Sequence, residues 1–346
     1  MNLNLVSLFV AFAVTFILTP VVRRVAIRLE ILDHPDKRKM HNNDMPLLGS
    51  IAVYLGFLAG LFLSGFHPFL DKELFILLSA ATLLLVVGVL DDGGFLHPQV
   101  KLMGAMPVAG LILIYFDLGL NLFPLRFFNY FFTLLWVVGI TAAYNLLDGM
   151  DGLSTGVCLI ASIFYLAFGV ITGDFLLIWI ASSLAGACLA FLIFNFHPAK
   201  IFLGDSGAIL LGFLLASMGL RVANHESLPL LTRWMIPILI LAVPIFDTSL
   251  ITFSRVRRGL VPFLHPGKDH SHHRLFNLGL GQRKTVFLIY LLGTTGGVLS
   301  LFISRLTTFW GYMLFGLLIL FGLILLSLFE NLPYDRQELM KKEARG

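Results

Sequence analysis

The acidic side chains of this chain sit almost entirely at the ends of long apolar runs. Asp91-Asp92 closes the run from Leu74 to Leu90. Asp148 and Asp151 follow the run from Tyr130 to Leu147, and Asp205 ends the stretch from Phe194 to Gly204. A carboxylate at membrane depth costs about 2.5 kcal/mol or more, so it normally has a functional reason to be there. These five acids, with the run His270-Ser271-His272-His273-Arg274, point to a site for a divalent metal and a phosphorylated ligand.

The 346 residues have a mean hydropathy of +0.91 and only 13% charge. That excludes a soluble globular domain and indicates an all-α, polytopic integral membrane bundle. Barrel strands alternate in polarity, so unbroken apolar runs exclude a barrel. Cys158 and Cys188 both lie inside apolar segments and read as small core residues. The first ten residues lack a basic stretch and a following cleavage site, so they are expected to open a first span.

A window of about 20 residues marks ten or eleven spans. They lie near 3–19, 48–66, 73–90, 102–117, 129–147, 153–172, 174–194, 207–222, 235–253, 286–305 and 308–330; Thr172-Gly173-Asp174 is the one doubtful break. With eleven spans, 19 of the 24 Lys and Arg fall on one side. The positive-inside rule makes that side cytoplasmic, with the N-terminus outside and the C-terminus inside. All five acids and the histidine run fall on the same side. The expected organisation is a single transmembrane domain over 1–330. Its catalytic loops would be 20–47, 91–101, 145–152, 195–206 and 254–285, and 331–346 would form a cytoplasmic tail.

Each motif has its own chemistry. Adjacent helical residues point about 100° apart, so Asp91 and Asp92 can face different groups. Lys101 opens the next span and can return over the site as a phosphate contact. Asn145, Asp148 and Asp151 are spaced three apart, the spacing of one helix face. Three oxygen donors on one stripe suit Mg²⁺. Asp205, in Gly204-Asp205-Ser206-Gly207, is either an N-cap or a metal ligand. The basic histidine loop fits pyrophosphate better than a cation; a plain surface loop and a zinc site are the other readings. Asp247, inside a span, either pairs with Arg255 or Arg257 or takes part in chemistry.

The ordered set of motifs resembles one family. It runs Arg38-Lys39-x-His41 with Pro46 and Gly49, Asp91-Asp92 with Lys101, Asn145-x-x-Asp148-Gly-x-Asp151-Gly152, Gly204-Asp205-Ser206-Gly207, then His270-x-His272-His273-Arg274. This resembles the polyprenyl-phosphate N-acetylhexosamine-1-phosphate transferases over nearly the whole chain. The His-x-His-His-Arg loop is similar to the WecA/TagO-like branch rather than to the related MraY branch. Ser50 departs from the family pattern, standing where a second glycine is usual.

The resemblance implies a bundle of about ten or eleven helices, often a homodimer, in a prokaryotic cytoplasmic membrane. The active site would face the cytoplasm. It implies transfer of N-acetylhexosamine-1-phosphate, most often GlcNAc-1-phosphate, from a UDP-N-acetylhexosamine to polyprenyl phosphate. UMP would be released, and no nucleic acid would take part. It implies Mg²⁺, with Mn²⁺ as a substitute, on residues matching Asp205 and Asn145. Asp91, Asp92, Asp148 and Asp151 would be catalytic. Asp151, Asn195 and Phe202 would hold uridine, and Lys101, His272, His273 and Arg274 the phosphates or amino sugar. His41 and His270 would join the substrate-binding set. Direct attack by the lipid phosphate is expected over an aspartyl-phosphate intermediate.

Two other classes compete. An ion-coupled transporter would carry carboxylates near the midplane of its spans, and here only Asp247 is internal. An intramembrane aspartyl protease would need two aspartates sharing a proton, and would leave the histidine loop unexplained.

Overall fold

The computed structural model describes residues 2–35, 43–63, 71–96, 101–262 and 267–332. Among these, eight helices are long and apolar enough to cross a membrane. They are α1 (Asn2–Arg28), α3 (Lys72–Asp92), α5 (Arg126–Leu147), α6 (Leu153–Thr172), α7 (Phe175–Asn195), α8 (Asp205–Asn224), α12 (Gly281–Ile303) and α13 (Thr308–Glu330). Two shorter apolar helices, α2 (Gly49–Leu63) and α4 (Met106–Tyr115), join them. A π-helical turn, Lys101–Ala105, leads into α4. One further hydrophobic segment is broken at Leu241 into α9 (Met235–Ile240) and α10 (Ala242–Arg257), and Pro237 and Pro244 lie on either side of the break. The eleven apolar segments of the sequence are thus all present. The doubtful break is real: Gly173, at φ 72°, ends α6, and the Asp174 side chain accepts the Leu177 N–H to start α7.

The bundle is layered by burial. Helix α8 is its axis, with 94% of its apolar window inside the protein, whereas α13 is 6% buried and presents its apolar surface to lipid. Small residues set the spacing around the axis. A Cβ on Gly88 of α3 would sit 2.4 Å from Ser206 Cα of α8, so these backbones touch only because position 88 has no side chain.

Helix α1 continues to Arg28, about nine residues past the span expected from hydropathy, because the helix does not stop where the apolar run does. The chain then forms a short hairpin, β1 (Leu32–Asp33) with β2 (Met45–Pro46). Phe202 donates its N–H to Pro46 and accepts from Gly49, and Ser50 donates to the Leu203 carbonyl. Arg23 donates to the Lys200 carbonyl at 2.8 Å. These contacts draw the connectors after α1 and α7 together at one end of the bundle. At the opposite end the buried Asp174 carboxylate pairs with the Arg221 guanidinium.

Candidate active site

The site is assembled where α3 meets the start of α8. Asp92, the last residue of α3, accepts the backbone N–H groups of Asp205 (2.9 Å) and Ser206 (3.2 Å) and the Ser206 hydroxyl. Ser206 and Ser50 share a further hydrogen bond of 2.7 Å. The departure at Ser50 therefore extends a chain from α2 through α8 to the Asp92 carboxylate. A carboxylate from a neighbouring helix meets the free N–H groups and positive dipole end of α8. Gly204, in the cap position, has φ 81°. Asp205 is the first helical residue and Gly204 holds the cap position, so of the two readings of Asp205 the N-cap is not formed. The first N–H groups of α8 are capped by Asp92 instead. Asp91 is half-buried on the same helix end.

The second part follows α5. The expected single stripe of Asn145, Asp148 and Asp151 is not formed. Helix α5 stops at Leu147, Asp148 leaves helical geometry at ψ 63°, and Gly152 at φ 76° starts α6. The three donors come from a helix end and a turn instead. Asp148 accepts the Ser154 hydroxyl at 2.6 Å. Burial pushes its carboxyl up to about 7, against the pull of Ser154, and the charges of Asp205, Asp92 and Asp151 add to the rise. Asp151 accepts the Ala199 N–H at 3.1 Å and lies 2.8 Å from His197 Nδ1.

Asn145 Oδ1 is buried and has no hydrogen-bond partner among the described residues. A buried acceptor without a donor is costly, and a cation would satisfy it. The donors here are one amide oxygen and several carboxylates, which is the chemistry of a Mg²⁺ site. The residues therefore fit the ion that the resemblance implies.

Asn195 is 5% exposed and bonded through both its amide oxygen and its amide nitrogen. Its oxygen accepts from Gly152 N–H and the Thr155 hydroxyl, and its nitrogen donates to the Ile201 carbonyl. It fastens the start of α6 to the 195–203 connector. Phe202 is half-buried beside it.

The histidine run closes the site. His270 precedes the short helix α11 (Ser271–Leu275). Asp247, fully buried in α10, accepts from Ser271 N–H and Oγ at 2.7 and 2.6 Å and lies 2.7 Å from His270 Nδ1. The expected pairing of Asp247 with Arg255 or Arg257 is corrected. Arg255 and Arg258 pair with Asp269 instead, holding its carboxyl down at about 2 against the cost of its burial. His272 reaches furthest towards the acids: a Cβ on Gly149 would lie 2.5 Å from its Nε2. His273 is half-buried, its ring 4.4 Å from that of His272.

Arg274, expected on a phosphate, is completely buried. It donates to the carbonyls of Asp269 and Phe329 and to the Ser254 hydroxyl, and pairs with Glu330. These contacts tie α11 to α10 and the end of α13. Lys101 starts the turn before α4. Its side chain, like the whole of His41, lies outside the described residues.

Sequence reasoning missed Ser206, Ser154 and His197 as partners of the acids, and Ser50 as the partner of Ser206. The serine in Gly204-Asp205-Ser206-Gly207 offered a signal. His197 offered none, because it meets Asp151 across two connectors.

Taken together, the fold and site are those of a multi-pass membrane protein with carboxylates and imidazoles converging at one end of the bundle. The model of glycosyl transferase family 4 matches residues 74–223, the stretch from α3 to α8. The chain is 35% identical over 326 residues to a probable undecaprenyl-phosphate N-acetylglucosaminyl 1-phosphate transferase of Bacillus subtilis, covering 91% of this chain and 89% of that one. It is 34% identical to a decaprenyl-phosphate N-acetylglucosaminephosphotransferase of Mycobacterium leprae, over 84% and 81% of the two chains. It is 28% identical to an undecaprenyl-phosphate alpha-N-acetylglucosaminyl 1-phosphate transferase of Salmonella typhi, over 83% and 80%. The chain belongs to the polyprenyl-phosphate N-acetylhexosamine-1-phosphate transferase family, in its WecA/TagO-like branch.

Proposed function

We propose that this protein transfers GlcNAc-1-phosphate from UDP-GlcNAc to polyprenyl phosphate, releasing UMP and beginning a cell-envelope polysaccharide. The observation that carries this reading is the convergence of Asp92, Asp148, Asp151, Asp205 and His272 at one membrane end of the bundle. A water-soluble donor and a lipid acceptor can meet only at such a boundary. The basic residues at the same end support a cytoplasmic face in the inner membrane.

An oxygen of the lipid phosphate attacks the phosphorus that bears the sugar. The bridging bond to the other phosphorus breaks, and its electron pair leaves with UMP. One pyrophosphate bond replaces another, so the step is close to thermoneutral. A phosphomonoester has a second pKa near 6, so the attacking oxygen is already charged and needs no strong base. Asn145, Asp148 and Asp205 are the residues that would hold Mg²⁺, which when bound offsets the charge of the diphosphate and polarises the phosphorus. Asp92 holds the start of α8 so that Asp205 stays in place. His272 and His273 orient non-reacting oxygens, and positioning with electrostatics supplies most of the acceleration.

The test is UMP release by detergent-purified protein given polyprenyl phosphate and Mg²⁺. UDP-GlcNAc, UDP-GalNAc and UDP-MurNAc-pentapeptide are compared, with EDTA and Asp92→Asn as controls. Metal-dependent UMP from UDP-GlcNAc alone is expected. UMP only from the muramyl peptide overturns the choice of donor. A phosphoenzyme formed from UDP-GlcNAc alone, and lost in Asp92→Asn, overturns direct attack.

A further inference from the structure

Asp247, His270 and His272 form a second cluster, of different chemistry from the oxygen donors around Asn145. One ligand atom from each lies within 4.8 Å of the others. The three residues are 0%, 7% and 1% exposed. They come from two elements that the fold holds rigidly together: Asp247 from within α10, and the histidines from the turn into α11. The rings of His270 and His272 stack at 5.2 Å between centroids with 28° between planes. Neither ring nitrogen of His272 has a hydrogen-bond partner among the described residues. A fully buried imidazole with two idle nitrogens is held ready for a group the protein itself does not provide.

We propose that Asp247, His270 and His272 bind a borderline divalent transition metal, with Zn²⁺ as the reference ion. The donor set is two imidazoles and one carboxylate, leaving a position for water. Nitrogen donors favour Zn²⁺ over the hard Mg²⁺ ion, so excess Mg²⁺ does not fill the site. Asp247 Oδ2 already lies 2.7 Å from His270 Nδ1, so the carboxylate and the ring stand side by side before an ion arrives. Each imidazole gives a lone pair to the ion, and any proton on the ligating nitrogen leaves to solvent. His272 Nε2 stands where a Gly149 Cβ would collide, so an ion held there lies beside the Asp148-Gly149 turn. Loading the cluster therefore also inhibits the proposed transfer. That second statement rests on the proposed function, whereas metal binding does not.

The purified full chain, stripped with chelator, is titrated with Zn²⁺ against a chromophoric chelator in millimolar Mg²⁺. One Zn²⁺ per chain is expected. The site should be lost in His272→Gln and weakened about 10-fold or more in Asp247→Asn. His225→Gln, at the opposite end of the bundle, should leave it unchanged. No retained Zn²⁺, or equal binding by the wild type and His272→Gln, overturns the proposal. Should either variant fail to fold, Co²⁺ loaded into the wild type decides. Intense visible bands of a four-coordinate ion are expected, and the weak bands of a six-coordinate ion overturn it. If UMP release is absent with every donor, the proposed function fails while the Zn²⁺ titration still decides this inference.

Discussion

Asp92 caps a helix that is not its own: its carboxylate receives the N–H and hydroxyl of Ser206, 114 residues further along the chain. Removing the hydroxyl in Ser206→Ala takes away one bond to a charged group, about 1.5 kcal/mol or more, and is expected to slow UMP release about 10-fold. Asp92→Asn also loses the charge facing the helix end and is expected to slow it about 100-fold or more. Initial rates, compared with the melting temperature of each variant, check both. A rate loss matched by a large drop in melting temperature would count against a local effect.

The contact between Gly149 and His272 offers a second test. In Gly149→Ala the new methyl meets the imidazole at 2.5 Å, and the buried ring has little room to yield. Overpacking of this kind costs about 1–3 kcal/mol, and misplacing a catalytic group by about an ångström costs about 100-fold in rate. The expected result is a lower kcat with a modest loss of stability. In a double-mutant cycle with His272→Ala, the two rate effects should be strongly non-additive.

A third expectation concerns protons. Asp148 is held at about 7 in the protein against about 3.9 in an unfolded chain. The folded state therefore binds more protons between those values. Stability of the metal-free protein should fall as pH rises from about 4 to about 7, and stay level above that as far as this group is concerned. Mn²⁺ binding at pH 6 should release a proton, read by calorimetry in two buffers of different ionisation enthalpy. Asp148→Asn should abolish that release and flatten the stability profile.

Asp269 behaves in the opposite sense. Its carboxyl is held at about 2 by Arg255 and Arg258, below the unfolded value of about 3.9. Its contribution is fully present above about pH 4 and is lost as pH falls towards 2. The gap in melting temperature between wild type and Asp269→Asn should therefore close over that range. Arg255→Met leaves a buried carboxylate with one partner fewer and is expected to cost about 3–5 kcal/mol at neutral pH.

The helices were legible because an apolar run of about 20 residues has one stable form in lipid, and a Gly-Asp pair such as Gly173-Asp174 is a local stop-and-start signal. The gathering of acids at one end followed from the same runs. What failed were statements that depend on distant partners. Asp148 and Asp151 left their helix face because α5 ends at Leu147, where the apolar run itself ends and the turn to Gly152 begins. Asp205 lost its capping role to Asp92, and Asp247 turned from nearby arginines to a histidine turn 23 residues on. The burial of Arg274 went unread because it depends on the end of α13, which no spacing rule connects to it.

That last contact makes the outermost helix part of the interior. Helix α13 spends its length against lipid, yet its Phe329 carbonyl and Glu330 close around a guanidinium rooted one residue from His273. A helix with so few packing contacts can shift or tilt as bilayer thickness changes. Its end would then pull on the histidine turn, giving the membrane itself a mechanical handle on the chemistry.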